Sequence, residues 1–326
     1  MERREFMKKA ALTGAALLGS RIPIIEPASA ASGSASPDCL WGIHAEPNTR
    51  GGTLYTAITH AEQLAGRRFA VDRQYHRWDT PLPSSYEVWT RTHGRTPYVS
   101  WNSYWIHGGP VAWKGIADGL HNPWIVQQAQ SIKRWGHHMY LTFNHEPEND
   151  ASRCGSSAEY RAALSHIISV FRSQGVSNVT WLVTLMAPTF SGNNGGVHNW
   201  LPWVPYDIVG VDGYNRWPCF SDHGHKSFYD LFAPAHSFAT SARKPLAICE
   251  YGTIEATSCG YPGSPASKAT WFRNAAGWIQ EWNNVAFAAY SHVEATYRGR
   301  WMDFYINSSP QALAAFRQIG LSPYFA

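Results

Sequence analysis

The sequence predicts a single (β/α)8 TIM barrel, and three observations support this fold class. Eight short strand-like runs follow one another along 326 residues, and helical segments separate most of them. Most of these runs are nearly continuous in apolar residues, which is typical of parallel strands that are covered on both faces. The chain has no tandem repeat and no long linker, and its length suits one barrel of roughly 250–300 residues.

The eight predicted strands occupy residues 39–45, 69–75, 97–102, 139–144, 179–185, 207–214, 245–251 and 285–291. The loops after the third, fourth, sixth and seventh strands are long and rich in Gly, Asn, Pro and aromatic residues. In a barrel these loops all emerge at the C-terminal face, where active sites are built. A doubly wound sheet is the alternative fold, and the absence of GxGxxG after the first strand disfavours it.

Several helices between the strands can be read from their end signals. One helix begins at Asn122, followed by a proline in the first turn, and ends at Gly136. Ser156 and Glu159 have the spacing of a capping box and predict the start of a second helix. Between the fifth and sixth strands only a short helical turn is predicted. The last two helices are predicted at residues 267–282 and 310–319.

The N-terminus is predicted to be an export signal. Arg3 and Arg4 precede an apolar stretch that ends in small residues, and this order resembles a bacterial twin-arginine signal. We therefore expect residues 1–30 to be a signal peptide, 31–37 a flexible lead-in and 38–326 the catalytic barrel. The apolar stretch is too short to span a bilayer stably, so a secreted, extracellular protein without a membrane partner is expected.

Composition narrows the classes of partner. The net charge is +4, charged residues make up 15% of the chain, and the basic residues are scattered beyond the N-terminus. Nucleic-acid binding normally requires a concentrated basic patch and is therefore not expected. Aromatic residues reach 14%, with 16 Trp. Aromatic faces pack against sugar rings, so lining a carbohydrate cleft is a reasonable role for some of these aromatic residues. We expect a monomer that binds a polysaccharide or oligosaccharide.

The chain contains five cysteines, and this odd number leaves at least one thiol unpaired within the chain. Export permits disulfides, and Cys219–Cys259 is the preferred pair because both residues fall in polar, loop-like segments. Cys249 lies in an apolar run, so it is expected to be a small buried residue that points away from the barrel mouth. No CxxC or Cys/His spacing indicates zinc, so no metal and no cofactor are expected.

Two glutamates at strand ends carry the main functional signal. Glu146 lies in the segment LTFNHEPEN (141–149), and Glu250 lies in PLAICEYGT (245–253), about a hundred residues later. Each glutamate is placed where the strand-like run ends. In both segments an apolar run becomes polar at the acid. Two carboxyl groups delivered from separate strands to one cleft are what glycosidic bond cleavage requires. An acid that emerges from an apolar run is also prone to desolvation, which raises a carboxyl pKa and suits a general acid.

These motifs resemble the retaining (β/α)8 glycoside hydrolases and, among them, glycoside hydrolase family 26, the β-mannanase family. The resemblance rests on His-Glu at 145–146, on DIVGVDGYN at 207–215, on CEYG at 249–252 and on the segment 156–182. It implies a secreted retaining glycosidase that cleaves β-linked polysaccharide, of endo-β-1,4-mannanase type.

The resemblance also assigns roles to four residues. It implies that Glu146 is the general acid/base and that Glu250 is the nucleophile. His145 is then expected to orient the acid and touch substrate, and Tyr214 to hydrogen-bond the nucleophile and keep it ionised. A retaining mechanism places the two carboxyl groups about 5–5.5 Å apart.

One departure from the pattern of the family leaves the identity of the polymer substrate open. Relatives often carry aromatic residues soon after the acid, whereas residues 148–155 of this chain are polar and contain none. β-1,3-Xylan and mixed-linkage β-glucan therefore stay open beside mannan. A catalytically inactive carbohydrate-binding barrel is the alternative of a different class, and the presence of both acids favours the enzyme. A serine hydrolase is disfavoured because no GxSxG occurs.

Other residues are weaker candidates for substrate binding. Trp101 and Asn102 lie at the end of the third strand, and Trp301 follows the eighth strand, where it is a candidate sugar platform. Arg73 follows the second strand and could line the edge of the cleft. Asp212 either hydrogen-bonds within the site or supports the barrel mouth, and the structural role is slightly preferred.

Overall fold

Eight parallel strands close into a barrel, in which β1 to β8 neighbour each other in chain order and β8 pairs with β1. The computed structural model describes residues 39–47, 52–220, 224–255 and 266–326. Each predicted strand overlaps one observed strand, so the (β/α)8 prediction is confirmed. The barrel strands are β1 Leu40–Ala45, β2 Val71–His76, β3 Thr96–Trp101, β4 Met139–Phe143, β5 Val179–Met186, β6 Ile208–Asn215, β7 Leu246–Thr253 and β8 Val285–His292.

Helices pack around the barrel and connect its strands. The α-helices within the described ranges are α1 Leu54–Ala65, α2 Ser85–Thr92, α3 Trp113–Ala117, α4 Asn122–Trp135, α5 Ala151–Cys154, α6 Ser157–Ser173, α7 Ala187–Phe190, α8 Phe228–Ser241, α9 Ala266–Glu281 and α10 Pro310–Gly320. The Ser156 capping box at the start of α6 and the left-handed Gly136 at the end of α4 are both present. Between β5 and β6 only the one-turn helix α7 and two short 3-10 turns form, as the sequence predicts.

The core has two layers. Side chains that point into the barrel include Tyr98, Tyr140, Leu182 and Phe287, and they fill its interior. A larger apolar layer packs between the outer surface of the strands and the helices, with Trp41, Phe171 and Phe316 among its members. Because the interior is filled, the barrel is a rigid support for its C-terminal rim and offers no channel.

The side chain of Cys249 does not point where the sequence predicted. Its thiol does not leave the barrel but lies inside it, near the hydroxyl of Thr184. The physical reason is a β-bulge, because Val211 of β6 pairs with Ile248, whereas Asp212 pairs with Glu250 and skips Cys249. An extra residue in one strand breaks the alternation of faces, so consecutive side chains can both point toward the barrel axis. Burial raises the pKa of the Cys249 thiol to about 12, which makes it a poor nucleophile.

A two-stranded hairpin follows β8 at the C-terminal rim. Its strands are β9 Glu294–Tyr297 and β10 Arg300–Asp303. Cys219, near this hairpin in a shared apolar cluster, is disulfide-bonded, and Cys154 is a free buried thiol. Cys259, the partner preferred from the sequence, lies outside the described residues, as does the predicted signal peptide. No helix in the described ranges has the length and apolar character that a bilayer span requires.

Candidate active site

Glu250 lies in β7 at the barrel mouth, and its carboxyl group is held by three donors. Arg73 donates from Nη2 to Oε1 at 2.9 Å, the hydroxyl of Tyr75 donates to the same oxygen, and Tyr214 donates to Oε2 at 2.5 Å. Burial alone would raise the pKa of this carboxyl, but the charge of Arg73 and the hydroxyl donors lower it to about 2. Glu250 is therefore ionised across the neutral range, as a nucleophile must be.

β2 supplies two of these three donors, Arg73 and Tyr75. Little in the sequence indicated that either residue contacts the nucleophile. Arg73 is fully buried and also donates to Ser100 Oγ at 2.6 Å. Its guanidinium lies 4.2 Å from the ring centroid of Tyr98 and 4.4 Å from that of Tyr75. The sequence named Arg73 only as a possible cleft-edge residue and did not name Tyr75. The available signal was an arginine and a tyrosine two residues apart in a predicted strand, which places both side chains on the same face.

Glu146 follows β4 and lies on the other side of the cleft. Its backbone is left-handed, with φ 47° and ψ 52°, and its amide donates to the carbonyl of Thr184 at 2.9 Å. Its Oε2 accepts a hydrogen bond of 2.7 Å from Asn149. Burial, followed by the charges of Glu250 and Glu148, raises the pKa of Glu146 to about 8. Glu146 is therefore protonated near neutral pH, which is the state that a general acid requires.

The backbone before Glu146 is locked by Asn144. This residue is also left-handed, at φ 46°, and its Oδ1 accepts from the amide and the hydroxyl of Ser103, at 3.0 and 2.6 Å. Its Nδ2 donates to Asp150 at 2.9 Å. Asn is one of the few residues that adopts this conformation at low cost. The two left-handed residues turn the chain sharply after β4 and direct the carboxyl of Glu146 into the cleft.

His145 and Asn102 form a pair near the nucleophile. Asn102 Oδ1 lies 3.1 Å from His145 Nδ1, and His145 Nε2 lies 3.9 Å from Glu250 Oε1. Burial, followed by the charge of Arg73, lowers the pKa of His145 to about 4, so the ring is neutral near pH 7. The structure thus brings both of these predicted residues to the cleft. His145 approaches the nucleophile, whereas the sequence associated it with the acid.

Asp212 is a third acid in the cleft. It is 2% exposed, and neither of its carboxyl oxygens has a hydrogen-bond partner among the described residues. Burial, followed by the charges of Glu250 and Glu146, raises its pKa well above the ordinary value. This shift favours the neutral form of Asp212, which offers a hydroxyl donor to whatever occupies the cleft. The structural role that the sequence slightly preferred is not supported, because a supporting residue would have partners in the protein.

Two predicted substrate-binding tryptophans lie elsewhere. Trp101 is fully buried, stacks on Trp78 at 4.4 Å between ring centroids and donates its indole N–H to the backbone of Trp78 at 2.8 Å. Its substrate-binding prediction is wrong, because its side chain points to the outer layer of the core. Trp301 is 47% exposed on the β9–β10 hairpin, and its indole N–H donates to Glu294 at 3.2 Å.

Two cavities open at the barrel mouth around these residues. The first, which we call the β6 cavity, has a volume of about 520 Å³, and its lining includes Glu146, Asn149, Asp212, Tyr214, Arg216 and Tyr297. The second, the β2 cavity, is lined by Glu46, Tyr75, His76, Arg77, Asn102 and His145. The general acid and Tyr214, one donor to the nucleophile, thus line the β6 cavity, and Tyr75, another such donor, lines the β2 cavity, so the reacting bond of a substrate fits at the junction.

One group of side chains has the donor set of a metal site. Possible ligand atoms of His145, Asp212 and Glu250 lie within 4.8 Å of one another. The guanidinium of Arg73 already contacts Glu250 Oε1, and its positive charge would repel a cation at this position. The arrangement therefore suits acid–base and nucleophilic chemistry better than metal binding.

Comparisons with known proteins agree with this fold. No family model matches the chain. It is 28% identical over 277 residues to endoglucanase H of Acetivibrio thermocellus, a match that covers 81% of this chain but only 29% of that protein. A family 26 β-mannanase from Bacteroides ovatus superposes with a TM-score of 0.58 at 13% identity, over 88% of this chain and 90% of that one.

A modular endo-β-1,4-mannanase from Cellulomonas fimi superposes with a TM-score of 0.59 at 14% identity, over 89% of this chain and 72% of that one. The resemblance to glycoside hydrolase family 26 that the sequence motifs indicate is therefore confirmed at the level of the fold.

Proposed function

We propose that this chain is a retaining glycoside hydrolase that cleaves β-linked polysaccharide, of β-1,4-mannanase type. The observation that carries the proposal is the opposite protonation of two carboxyl groups in one cleft. The pKa of Glu250 is lowered to about 2, and the pKa of Glu146 is raised to about 8. A nucleophile must be ionised and a general acid must be protonated, so a single enzyme form is competent over the range between these values.

In the first step, Glu146 donates its proton to the glycosidic oxygen while Glu250 attacks the anomeric carbon. The bond from that carbon to the leaving sugar breaks, and an ester bond to Glu250 forms. Tyr75, Tyr214 and Arg73 hold the nucleophile in one orientation, which removes the cost of ordering it in the transition state.

In the second step, Glu146 is a carboxylate and accepts a proton from water. The resulting oxygen nucleophile attacks the anomeric carbon, and Glu250 leaves as an ionised carboxylate. Two inversions at the same carbon give net retention. Neutral His145 can accept or donate hydrogen bonds to sugar hydroxyls during both steps without adding charge to the cleft, and the raised pKa of Asp212 favours the same behaviour there.

β-Glucan is the second candidate substrate. The relative that is 28% identical to this chain is an endoglucanase, whereas the structural neighbours with β-mannanase activity are only 13–14% identical. The polar loop after Glu146, which lacks aromatic residues, also differs from the mannanase pattern. β-1,3-Xylan has no comparable support, apart from its compatibility with the same mechanism.

The twin-arginine-like N-terminus supports export of this enzyme, which a polymer-degrading function requires because polysaccharides do not enter cells. The test is expression in a bacterial host with and without substitution of Arg3 and Arg4 by Lys. We expect the parent protein outside the cytoplasm and the variant inside it.

The function itself is tested on a panel of mannan, glucomannan, mixed-linkage β-glucan, β-1,3-xylan and arabinan. We expect release of oligosaccharides from mannan or from β-glucan, and β-anomeric products in proton NMR spectra at early times. Glu250→Ala should abolish turnover and leave the far-UV circular dichroism spectrum unchanged. Glu281→Ala, which changes an exposed glutamate at the end of α9, is the matched control and should retain full activity.

Three outcomes would contradict the proposal. Substantial turnover by Glu250→Ala would remove this residue from the nucleophile role. α-Anomeric products would indicate inversion. Absence of cleavage across the panel, with retained binding to one polymer, would identify a carbohydrate-binding barrel without catalysis.

A further inference from the structure

Arg216 is a positively charged residue in the wall of the β6 cavity. It follows the end of β6, and its guanidinium lies over the rings of Tyr214 and Tyr297, at 5.1 and 5.0 Å from the ring centroids. Its Nε is buried and has no acceptor among the described residues. Within the same ranges, no carboxylate lies at ion-pair distance from this side chain.

An arginine in this setting is expected to find an acceptor. Buried polar groups are nearly always hydrogen-bonded, and desolvating a charge without a partner is costly. The two tyrosine rings offset part of this cost through cation–π contact, and they also hold the guanidinium plane in place. A fixed plane with unused donors, facing a cavity, is preorganised for a planar anionic acceptor such as a carboxylate.

The other charges of the β6 cavity favour an anion as well. Lys226 lines the same wall and adds a second positive charge. The acids on the cavity are Glu146 and Asp212, and burial is the largest cause that raises the pKa of each. Both shifts favour the neutral form of these acids, so they oppose the positive charges of Arg216 and Lys226 less than ordinary carboxylates would.

The position of the cavity assigns it to one side of the reacting bond. Its lining contains Glu146, the proposed proton donor, together with Asp212, Arg216 and Tyr214, whereas Tyr75, the donor to the nucleophile from β2, lines the other cavity. The donor of the proton must face the leaving oxygen. The β6 cavity therefore holds the sugar unit that departs in the first step.

We infer that the β6 cavity is a subsite for a sugar unit that carries a carboxylate, held by Arg216 and assisted by Lys226, on the leaving-group side of the cleft. This inference rests on the proposed function, and it specifies the substrate class as a β-linked polysaccharide with uronic acid units or acidic substituents. The competing role for Arg216 is hydrogen bonding to hydroxyls of a neutral sugar.

The test compares two β-1,4-linked tetrasaccharides of the backbone that the panel identifies. One is neutral, and in the other the reducing-end unit is oxidised at C6 to the uronate. We expect kcat/KM to be about tenfold higher for the acidic substrate at low ionic strength, the effect of a charge-assisted hydrogen bond. The preference should shrink toward parity in about 0.5 M NaCl, because salt screens charges at a partly open site.

Arg216→Gln, which keeps hydrogen-bonding capacity but loses the charge, should remove the preference for the acidic substrate. The matched control is Arg161→Gln, since Arg161 also stacks on an aromatic ring, that of Trp203 at 4.8 Å, but does not line the cavity. The control should keep the ratio of the parent protein. Equal kcat/KM for the two substrates, or an unchanged ratio in Arg216→Gln, would overturn the inference while the glycosidase function stands.

A second readout separates charge recognition from a structural role of Arg216. The charge of Arg216 lowers the pKa of Glu146 against the stronger effect of burial, so an anion bound to Arg216 should raise that pKa. The alkaline limb of the kcat profile should therefore lie at higher pH for the acidic substrate than for the neutral one. If the panel shows no hydrolysis, calorimetry with both tetrasaccharides still decides the inference, because equal or absent binding of the acidic one overturns it.

Discussion

Individual residues in this cleft differ in protonation because their immediate neighbours differ. Glu250 contacts a guanidinium and two phenolic hydroxyls, and these donors outweigh the effect of burial. Glu146 has one amide donor, from Asn149, and burial together with nearby carboxyl groups dominates its pKa. Both side chains are carboxyl groups at the mouth of the same barrel. Their proposed roles as nucleophile and acid therefore follow from contacts that the surrounding strands supply.

Glu146→Gln is expected to lower kcat on polysaccharide by roughly 10²- to 10⁴-fold, the usual contribution of a general acid. The loss should be much smaller on a 2,4-dinitrophenyl glycoside, because that leaving group departs without protonation. Since Gln does not titrate, the alkaline limb near pH 8 should also vanish from the rate profile on this activated substrate. Equal losses on both substrates would argue against an acid role.

Tyr214→Phe removes the 2.5 Å hydrogen bond to Glu250 Oε2. Loss of a donor to an ionised group raises its pKa, so the acidic limb of kcat/KM should move upward from about 2. We expect kcat/KM to fall roughly 10- to 100-fold, the strength of a hydrogen bond to a charged acceptor. Steady-state kinetics across pH 3–9 would check both effects, because the acidic limb should enter this range in the variant only. Its absence from the profile of the variant would contradict this role for Tyr214.

At the scale of elements, three local features aim the functional groups. β2 places Arg73 and Tyr75 on the inner face by the two-residue period of a strand. The bulge at Cys249 interrupts the alternation of faces in β7, so that the side chain of Glu250 points to the cleft although that of its neighbour Cys249 also points inward. The left-handed turn after β4 directs the side chain of Glu146 into the cleft. Strained or irregular backbone at a site must be stabilised by its surroundings, and here Asn144 provides much of that support.

Asn144→Ala tests the turn after β4. The variant loses hydrogen bonds to Ser103 and Asp150 and places Ala in the left-handed region, so we expect a destabilisation of about 2–3 kcal/mol. Asn144→Gly loses the same hydrogen bonds without the conformational cost. We expect its destabilisation to be smaller than that of Asn144→Ala by about 1 kcal/mol. Urea denaturation measures both values. Equal stability of the two variants would show that backbone strain at this position is negligible.

At the scale of the whole molecule, the buried acids make stability depend on pH in opposing directions. Asp212 and Glu146 have raised pKa values, so they stabilise the fold fully below about pH 4 and progressively less as pH rises through their folded-state values. Glu250 has a lowered pKa, so its contribution is present above about pH 4.5 and is lost as pH falls toward about 2. The cleft therefore favours a mildly acidic stability optimum.

Asp212→Asn isolates one of these contributions. The amide has nearly the same shape as the carboxyl group that it replaces, and it cannot lose a proton as pH rises. We expect the free energy of unfolding to decline less between pH 5 and pH 8 in the variant than in the parent protein. Urea denaturation at the two pH values measures the difference. An identical decline in both proteins would mean that Asp212 is already ionised in the folded state at pH 5.

The sequence by itself determined the eight strands, the barrel that they form and the two acids that face its mouth. This was possible because buried parallel strands are continuous apolar runs, and because the C-terminal ends of the strands in a barrel all lie at its mouth. The capping box of α6 and the glycine after α4 were equally readable, since they satisfy hydrogen-bonding and backbone needs that are local in the chain.

Only the tertiary structure decided which other side chains meet these acids. Arg73 and Glu250 are 177 residues apart in the chain, and no local pattern records their contact. Trp101 was misassigned because its position at a strand end does not reveal which layer its side chain enters. The face on which Cys249, Glu250 and Asp212 lie depends on one bulge, which is a property of the register between two strands. Sequence patterns report local periodicity, whereas a carboxyl pKa depends on charges and burial contributed by distant segments.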